Sequence, residues 1–160
     1  MGFFGSRGVK ILVVDDDKQL VDLFVKYLTK VGYKVHSAFN GKEALDLFKK
    51  DKYQLVVTDI EMPEIDGITL IDKIKAVDEY AVVIVITGYG TIERAVKAIK
   101  KGAYDFLEKP FNLEALEIVI NRALERYFIH KNLRMFRRLF FLLVTGLPVV
   151  LLIGVALGFF

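Results

Sequence analysis

The stretch that decides the fold, residues 53–67, reads YQLVVTDIEMPEIDG. Its first six residues are a short apolar run rich in Val, and Asp59 and a turn follow it. Such a run, bounded by turn signals, is typical of a buried parallel strand. We predict four more strands of this kind, at residues 9–14, 33–38, 81–87 and 103–107.

Apolar residues at helical spacing fill the segments between these runs. Asn40 is a good cap for the second helix, and the fourth helix carries Ile92, Ala95, Val96 and Ile99 on a shared face. Five strands alternating with five helices predict an α/β protein with a doubly wound parallel sheet and helices on both faces. We expect a flavodoxin-like (βα)5 fold with strand order 2-1-3-4-5, followed by a C-terminal transmembrane helix.

Composition excludes several classes of function. The 160 residues suffice for one ordinary domain, and they carry 23 basic and 20 acidic side chains. The excess lies in Arg134, Arg137 and Arg138, so residues 1–131 are neutral overall, which argues against a direct nucleic-acid partner. The absence of cysteine excludes disulfides and thiol chemistry, and two distant histidines make a histidine metal cluster improbable.

Residues 139–160 contain no charged side chain, and sixteen of these 22 positions are Leu, Ile, Val or Phe. A helix of this length reaches about 33 Å, enough for a hydrocarbon core of ~30 Å. We therefore predict a membrane span, and the basic residues before it place residues 1–138 in the cytoplasm. The segment would be a C-terminal tail anchor at the cytoplasmic face of the inner membrane. A buried or oligomerisation helix, or a hairpin near Pro148, remains an alternative, and Gly154 with Gly158 leaves a homodimer open.

Polar residues follow four of the predicted strands at the edge where such a sheet binds ligands. Singly, each could be a helix cap, a turn residue or a solvated charge. Together, carboxylates packed this closely repel one another unless a cation neutralises them. Mg²⁺ prefers such oxygen ligands, a lysine and a hydroxyl suit a phosphoryl group, and one carboxylate is then available as nucleophile. The residues are Asp15-Asp16-Asp17, Thr58-Asp59, Thr87-Gly88 and Glu108-Lys109-Pro110.

These motifs resemble the receiver domain of two-component response regulators, a chiefly bacterial family. The resemblance covers about residues 8–125, and the sequences around Thr87 and 101–106 are most similar to receivers of nitrogen-regulation-type activators. In those relatives an ATPase and a DNA-binding domain follow, whereas here only the apolar tail does. The expected organisation is a lead-in at 1–8, a receiver domain at 9–125, a basic helical linker at 126–138 and a transmembrane helix at 139–160.

The resemblance implies a role for each matching residue. Asp59 would accept the phosphoryl group from a histidine kinase. The metal ligands would be Asp16, Asp59 and the backbone carbonyl of Glu61, with Asp15 acting through water.

The resemblance also implies how the phosphoryl group is sensed. Lys109 would contact that group and precede a cis bond to Pro110. Thr87 would donate to a phosphoryl oxygen and move toward it, and Phe106 occupies the position of the switch aromatic, which would turn inward.

The leading hypothesis is thus a membrane-tethered single-domain response regulator that is not an enzyme in its own right. It would take its phosphoryl group from a sensor histidine kinase or phosphotransfer protein, with Mg²⁺ as cofactor, and signal to an output protein not yet identified. One alternative is a phosphate sink or relay without an output of its own. Another is an aspartyl-phosphate hydrolase, although those carry Asp-x-Asp where this chain has Asp59-Ile60-Glu61.

Overall fold

The computed structural model describes residues 8–88 and 92–146. The chain divides into two compact units, Met1–Tyr127 and Phe128–Phe160. The first unit contains the sheet that positions the candidate site.

The first unit is built on a five-stranded, all-parallel sheet of order β2-β1-β3-β4-β5. This confirms the predicted doubly wound fold and its strand order. The observed strands begin one or two residues later than predicted, and two of them also end one residue later. Their bounds are β1 Lys10–Val14, β2 Lys34–Ala38, β3 Leu55–Asp59, β4 Val82–Thr87 and β5 Asp105–Glu108.

Each strand is followed in the chain by an α-helix. Four of them begin at side chains that accept backbone N–H groups of the first turn, which would otherwise lack partners; Asn112 is the cap of α5. The other three caps are Asp17, the predicted Asn40, and Asp66. The bounds are α1 Lys18–Val31, α2 Gly41–Lys50, α3 Gly67–Val77, α4 Ile92–Lys100 and α5 Leu113–Phe141, and a π-helix occupies Leu142–Gly146.

Strands β3 and β4 are buried along their whole length because helices cover both faces of the sheet. Leu12, Val56 and Val83, from three adjacent strands, pack in one core cluster with Phe48 of α2 and Ile71 of α3. The rigid central strands therefore fix the position of whatever side chain follows their last residue.

The predicted shared face of α4 is wrong. Ala95 is buried, as is Ala98, but Ile92, Val96 and Ile99 are 62%, 45% and 39% exposed. The alanines lie three residues apart and face the core, whereas the three larger residues recur every three or four positions on another side. A short helix with apolar residues on two sides does not reveal from sequence which side packs.

Among the residues that the structure describes, no helix combines the length and the apolar composition needed to cross a bilayer. Residues 147–160, which make up most of the predicted transmembrane helix, lie outside the described part. Residues 1–7 of the predicted lead-in lie outside it as well. The span at 139–160 and its orientation therefore stay predictions.

Candidate phosphoacceptor site

Three charged side chains that are distant in sequence meet at the carboxyl edge of the sheet. Asp15 comes directly after β1, Asp59 is the last residue of β3, and Lys109 directly follows β5. The ammonium nitrogen of Lys109 lies 2.7 Å from Asp59 Oδ1 and 3.2 Å from Asp15 Oδ2. One lysine thus bridges two carboxylates, which brings together three of the residues that the sequence singled out.

Backbone hydrogen bonds hold Asp59 in this position. The N–H of Glu61 donates to Asp59 Oδ2 at 2.5 Å, while Lys109 occupies the other carboxylate oxygen. The next residue, Ile60, donates its N–H to the carbonyl of Ile86 on β4. Gly67 closes the loop by donating to the carbonyl of Ile60, and a Cβ on Gly67 would collide with the carbonyl oxygen of Asp59. The nucleophile candidate is therefore fixed in direction by its own loop.

Lys109 is anchored in the same way. Its backbone N–H donates to the carbonyl of Thr87 at 2.8 Å, which ties the end of β5 to the end of β4. The bond to Pro110 is cis, as expected. The Thr87 side chain is itself buried at this strand end.

Asp15 is almost completely buried, with 2% of its surface exposed, and its Oδ1 accepts the N–H of Asp17 at 2.9 Å. Burial raises the pKa of Asp15, and the charge of Asp59 raises it further. The hydrogen bond from Asp17 and the charge of Lys109 act in the opposite direction but do not cancel the rise. In the absence of a metal ion, this edge of the sheet disfavours negative charge on Asp15.

The pKa of Lys109 is also raised, although burial by itself would lower it. The hydrogen bond and charge of Asp59, assisted by Asp15, outweigh that burial. At Asp15, burial and the charge of Asp59 outweigh the lowering effect of Lys109, so the pKa of this acid stays raised. Asp59 has the shorter contact, and it is the main partner that keeps Lys109 charged.

The other acidic residues after β1 behave differently. Asp17 caps α1 by accepting the N–H groups of Gln19 and Leu20, which is the ordinary structural role foreseen for it. Asp16 is exposed. Over residues 8–88 and 92–146, no three carboxylate, imidazole or thiol side chains lie close enough to form a ready metal cage. The metal role of Asp16 stays a prediction.

The residues present nevertheless fit a magnesium ion. Asp15 and Asp59 offer two buried carboxylates next to one another, and the negative charge of Asp59 disfavours a second negative charge on Asp15. Mg²⁺ typically takes one or two carboxylates, keeps several waters and completes its shell with phosphate oxygens. A hard oxygen-only donor set of this kind suits Mg²⁺ better than a softer metal.

Phe106 projects from β5 and is 37% exposed. This is the outward arrangement from which the predicted switch aromatic would turn inward. The exposed Ile92, Val96 and Ile99 lie on α4, which packs against β4 and β5. The helix that packs against the strand of Phe106 thus carries exposed apolar side chains of its own.

Sequence reasoning missed Arg94. Its guanidinium, in the first turn of α4, lies 3.3 Å from Glu61 Oε1 and 3.0 Å from Asp66 Oδ2. Burial alone would raise the pKa of Asp66, but the N–H of Thr69 and the charge of Arg94 lower it overall. Arg94 therefore connects α4 to both ends of the loop that follows Asp59. No motif signals this, because the contact depends on how α4 packs.

The family model described as "Response regulator receiver domain" matches residues 11–121. The chain belongs to this family. Receiver domains are phosphoacceptor signalling domains that accept a phosphoryl group on an aspartate, interact with histidine kinases or phosphotransfer proteins, and generally bind Mg²⁺ at the phosphorylation site.

Individual relatives agree with this assignment. The chain is 35% identical over 125 residues to the regulatory protein AtoC of Escherichia coli, covering 78% of this chain and 27% of AtoC. It is 37% identical over 131 residues to the nitrogen assimilation regulatory protein NtrX of Azorhizobium caulinodans, covering 81% of this chain and 29% of NtrX. The chain thus spans between a quarter and a third of the length of these curated relatives.

Among solved structures, the receiver domain of NtrX from Brucella abortus is 42% identical, with a TM-score of 0.70. The match covers 72% of this chain and 98% of that domain. NtrX receivers are therefore among the matches, in line with the expected likeness to nitrogen-regulation-type receivers.

Proposed function

We propose that the chain is a membrane-tethered response regulator that accepts a phosphoryl group on Asp59 and switches a protein-interaction surface. The donor is a sensor histidine kinase or a phosphotransfer protein, and no direct nucleic-acid partner is part of the proposal. The observation that carries it is the contact of one ammonium group, Lys109 Nζ, with both Asp59 and Asp15.

The proposed chemistry follows from this geometry. An oxygen of Asp59 attacks phosphorus, the acyl-phosphate bond forms, and the bond from phosphorus to the donor nitrogen breaks. Catalysis of such a transfer is mostly positioning and charge neutralisation. The Glu61 N–H and Lys109 orient the attacking carboxylate, and Lys109 can follow the negative charge onto the phosphoryl group because it is only partly buried.

The proposed magnesium ligands are Asp15, Asp16, Asp59 and the backbone carbonyl of Glu61. When bound, Mg²⁺ supplies positive charge that offsets the carboxylates and the incoming phosphoryl oxygens. The raised pKa of Asp15 supports this role, because a bound cation would stabilise the charged carboxylate that burial and the charge of Asp59 disfavour.

The proposed output is a change on the side of the receiver that carries Thr87 and Phe106. Once the phosphoryl group draws the Thr87 hydroxyl toward it, Phe106 turns inward from its exposed position. That movement alters the surface formed with the exposed residues of α4. A protein that binds only the phosphorylated chain would separate this function from a passive phosphate sink, which uses the same site residues.

The tethering half of the proposal depends on residues 139–160. Its support is their composition, with no charged side chain in 22 positions and five basic residues between 126 and 138. We propose that this tail anchors the protein to the cytoplasmic face of the inner membrane. Alkaline extraction should release a chain ending at residue 138 from membranes, whereas the full chain should resist extraction.

The decisive experiment for the chemistry incubates the full chain with a small phosphodonor and Mg²⁺. Wild type should form an alkali-labile phosphoprotein, and Asp59→Asn should form none. Asp46→Asn is the matched control, because it removes a carboxylate from the exposed side of α2 and should leave labelling unchanged. Labelling of Asp59→Asn at the wild-type level would refute Asp59 as the acceptor.

A further inference from the structure

The part of α5 at residues 128–140, in the second unit, separates apolar from basic side chains, whereas the exposed Phe141 that ends α5 falls on the basic side. At about 100° per residue, its apolar positions and Asn132 fill one side of the helix and its basic positions fill the opposite side. Six of its apolar side chains are exposed, from 49% at Leu139 to 65% at Phe136, while Phe128 is half-buried. These six are Ile129, Leu133, Met135, Phe136, Leu139 and Phe140.

The opposite side carries four basic side chains. Lys131, Arg134, Arg137 and Arg138 fall within less than half of the circumference; Arg134 is half-buried and the other three are exposed. Residues 126–146 contain no acidic side chain. The helix is therefore amphipathic and purely basic, a combination typical of segments that lie in a membrane interface.

The charge decides between the surfaces that could cover this apolar side. A second copy of the same helix would offer the same apolar stripe but also the same four cations, with no carboxylate to pair with them. Coiled coils normally place opposite charges beside such a seam. A bilayer with anionic headgroups matches both sides at once, because acyl chains receive the apolar side chains and headgroups pair with the arginines.

We propose that residues 128–140 of α5 bind the surface of an anionic lipid bilayer. The helix lies in the plane of the interface, with Leu133, Phe136 and Phe140 toward the acyl chains and Arg134, Arg137 and Arg138 at the headgroups. This goes beyond the proposed tether, because it assigns a lipid-binding surface to described residues and does not require residues 139–160 to span the bilayer.

The test uses the full chain with Phe136→Trp as a fluorescent probe. The protein contains no other tryptophan, so the emission reports this position alone. Vesicles of phosphatidylcholine with phosphatidylserine should shift the emission to shorter wavelength, and brominated acyl chains should quench it. Vesicles of phosphatidylcholine alone should need a higher lipid concentration for the same shift, because only the uncharged residues 139–160 would then favour binding.

Charge neutralisation tests the headgroup contact. Replacing Arg134, Arg137 and Arg138 by Gln should raise the lipid concentration for half-maximal shift on the order of 100-fold, from about 1 kcal/mol for each basic residue near an anionic surface. The matched control, Lys42→Gln with Lys49→Gln and Lys50→Gln, removes the same charge from exposed positions of α2. The control should bind as the parent does.

Three results would overturn the proposal. The first is an equal shift on phosphatidylcholine alone, and the second is an equal loss in the two triple variants. The third is a shift that depends on protein concentration without lipid, which would assign the surface to a second copy. Alkaline extraction reports the tail, and labelling of Asp59 reports the phosphoacceptor, so either part of the proposed function can fail separately from this surface.

Discussion

Replacing Asp15 by Asn is expected to stabilise the receiver unit when no divalent cation is present. Asp15 Oδ2 and Asp59 Oδ1 both contact Lys109 Nζ, so they lie at most about 6 Å apart. At an effective dielectric constant of about 20, two charges at that distance repel by about 3 kcal/mol. Burying an ion adds several kcal/mol more against the charged form. Lys109 and the N–H of Asp17 offset these costs only in part, because the pKa of Asp15 is raised.

Asparagine keeps the shape of Asp15 and removes the charge. Because the folded state disfavours the charged form of Asp15, we expect a gain of about 1–2 kcal/mol near neutral pH, within the usual range for one substitution. That gain raises the melting temperature of a domain of this size by roughly 3–10 °C. The assay is urea and thermal unfolding of residues 1–127 in the presence of a chelator, with circular dichroism as the readout.

The pH dependence of the stability tests whether the charge of Asp15 causes the difference between wild type and Asp15→Asn. Unfolded Asp15 releases its proton near the ordinary value of about 3.9, whereas burial keeps the proton bound to higher pH in the folded state. The folded state therefore binds more protons in between, and wild type loses stability as pH rises through the raised pKa. Asp15→Asn should match wild type below pH ~4 and exceed it above.

Two comparisons make this prediction refutable. Asp17→Asn removes an equal charge two residues away, where Asn is an equally good cap, and should change stability by less than about 0.5 kcal/mol. Mg²⁺ at about 100 times its Kd should stabilise wild type by about 2.7 kcal/mol and Asp15→Asn by less. A lower stability of Asp15→Asn than of wild type near neutral pH without metal would refute the destabilising role of the Asp15 charge.

Further predictions concern packing and surface contacts. Gly67→Ala should lower the free energy of unfolding by about 2 kcal/mol or more and slow labelling of Asp59, because its Cβ meets a backbone carbonyl; a neutral result in urea unfolding would contradict this. The hydrogen bond to Glu117 raises the pKa of Tyr27 to about 12. Glu117→Gln should return it toward 10, read from phenolate absorbance, and an unchanged titration would exclude the contact. Arg94→Gln should cost under about 1 kcal/mol in unfolding, because both ion pairs are partly exposed; a larger loss would show a buried role.

The strands and the residues at their ends were predictable from the sequence, whereas the packing of one helix was not. The central strands were predictable because uninterrupted runs of Val and Ile, bounded by turn residues, have few other stable arrangements. Asp59 and Lys109 were predictable as site residues because the ends of parallel strands share one edge. The packing side of α4 was not predictable, since Ala95 and Ala98 compete there with larger apolar residues on another side.

The amino-acid sequence by itself determined the alternation of strands and helices, the strand-end motifs and the separation of charge along the chain. These are local properties, set by periodicity and by which residue follows each strand. Only the tertiary structure decided that Lys109 bridges Asp15 and Asp59, that Asp16 lies exposed, and that Arg94 reaches the loop after Asp59. Each of these depends on distances between segments far apart in sequence, and such distances are fixed by packing rather than by local preference.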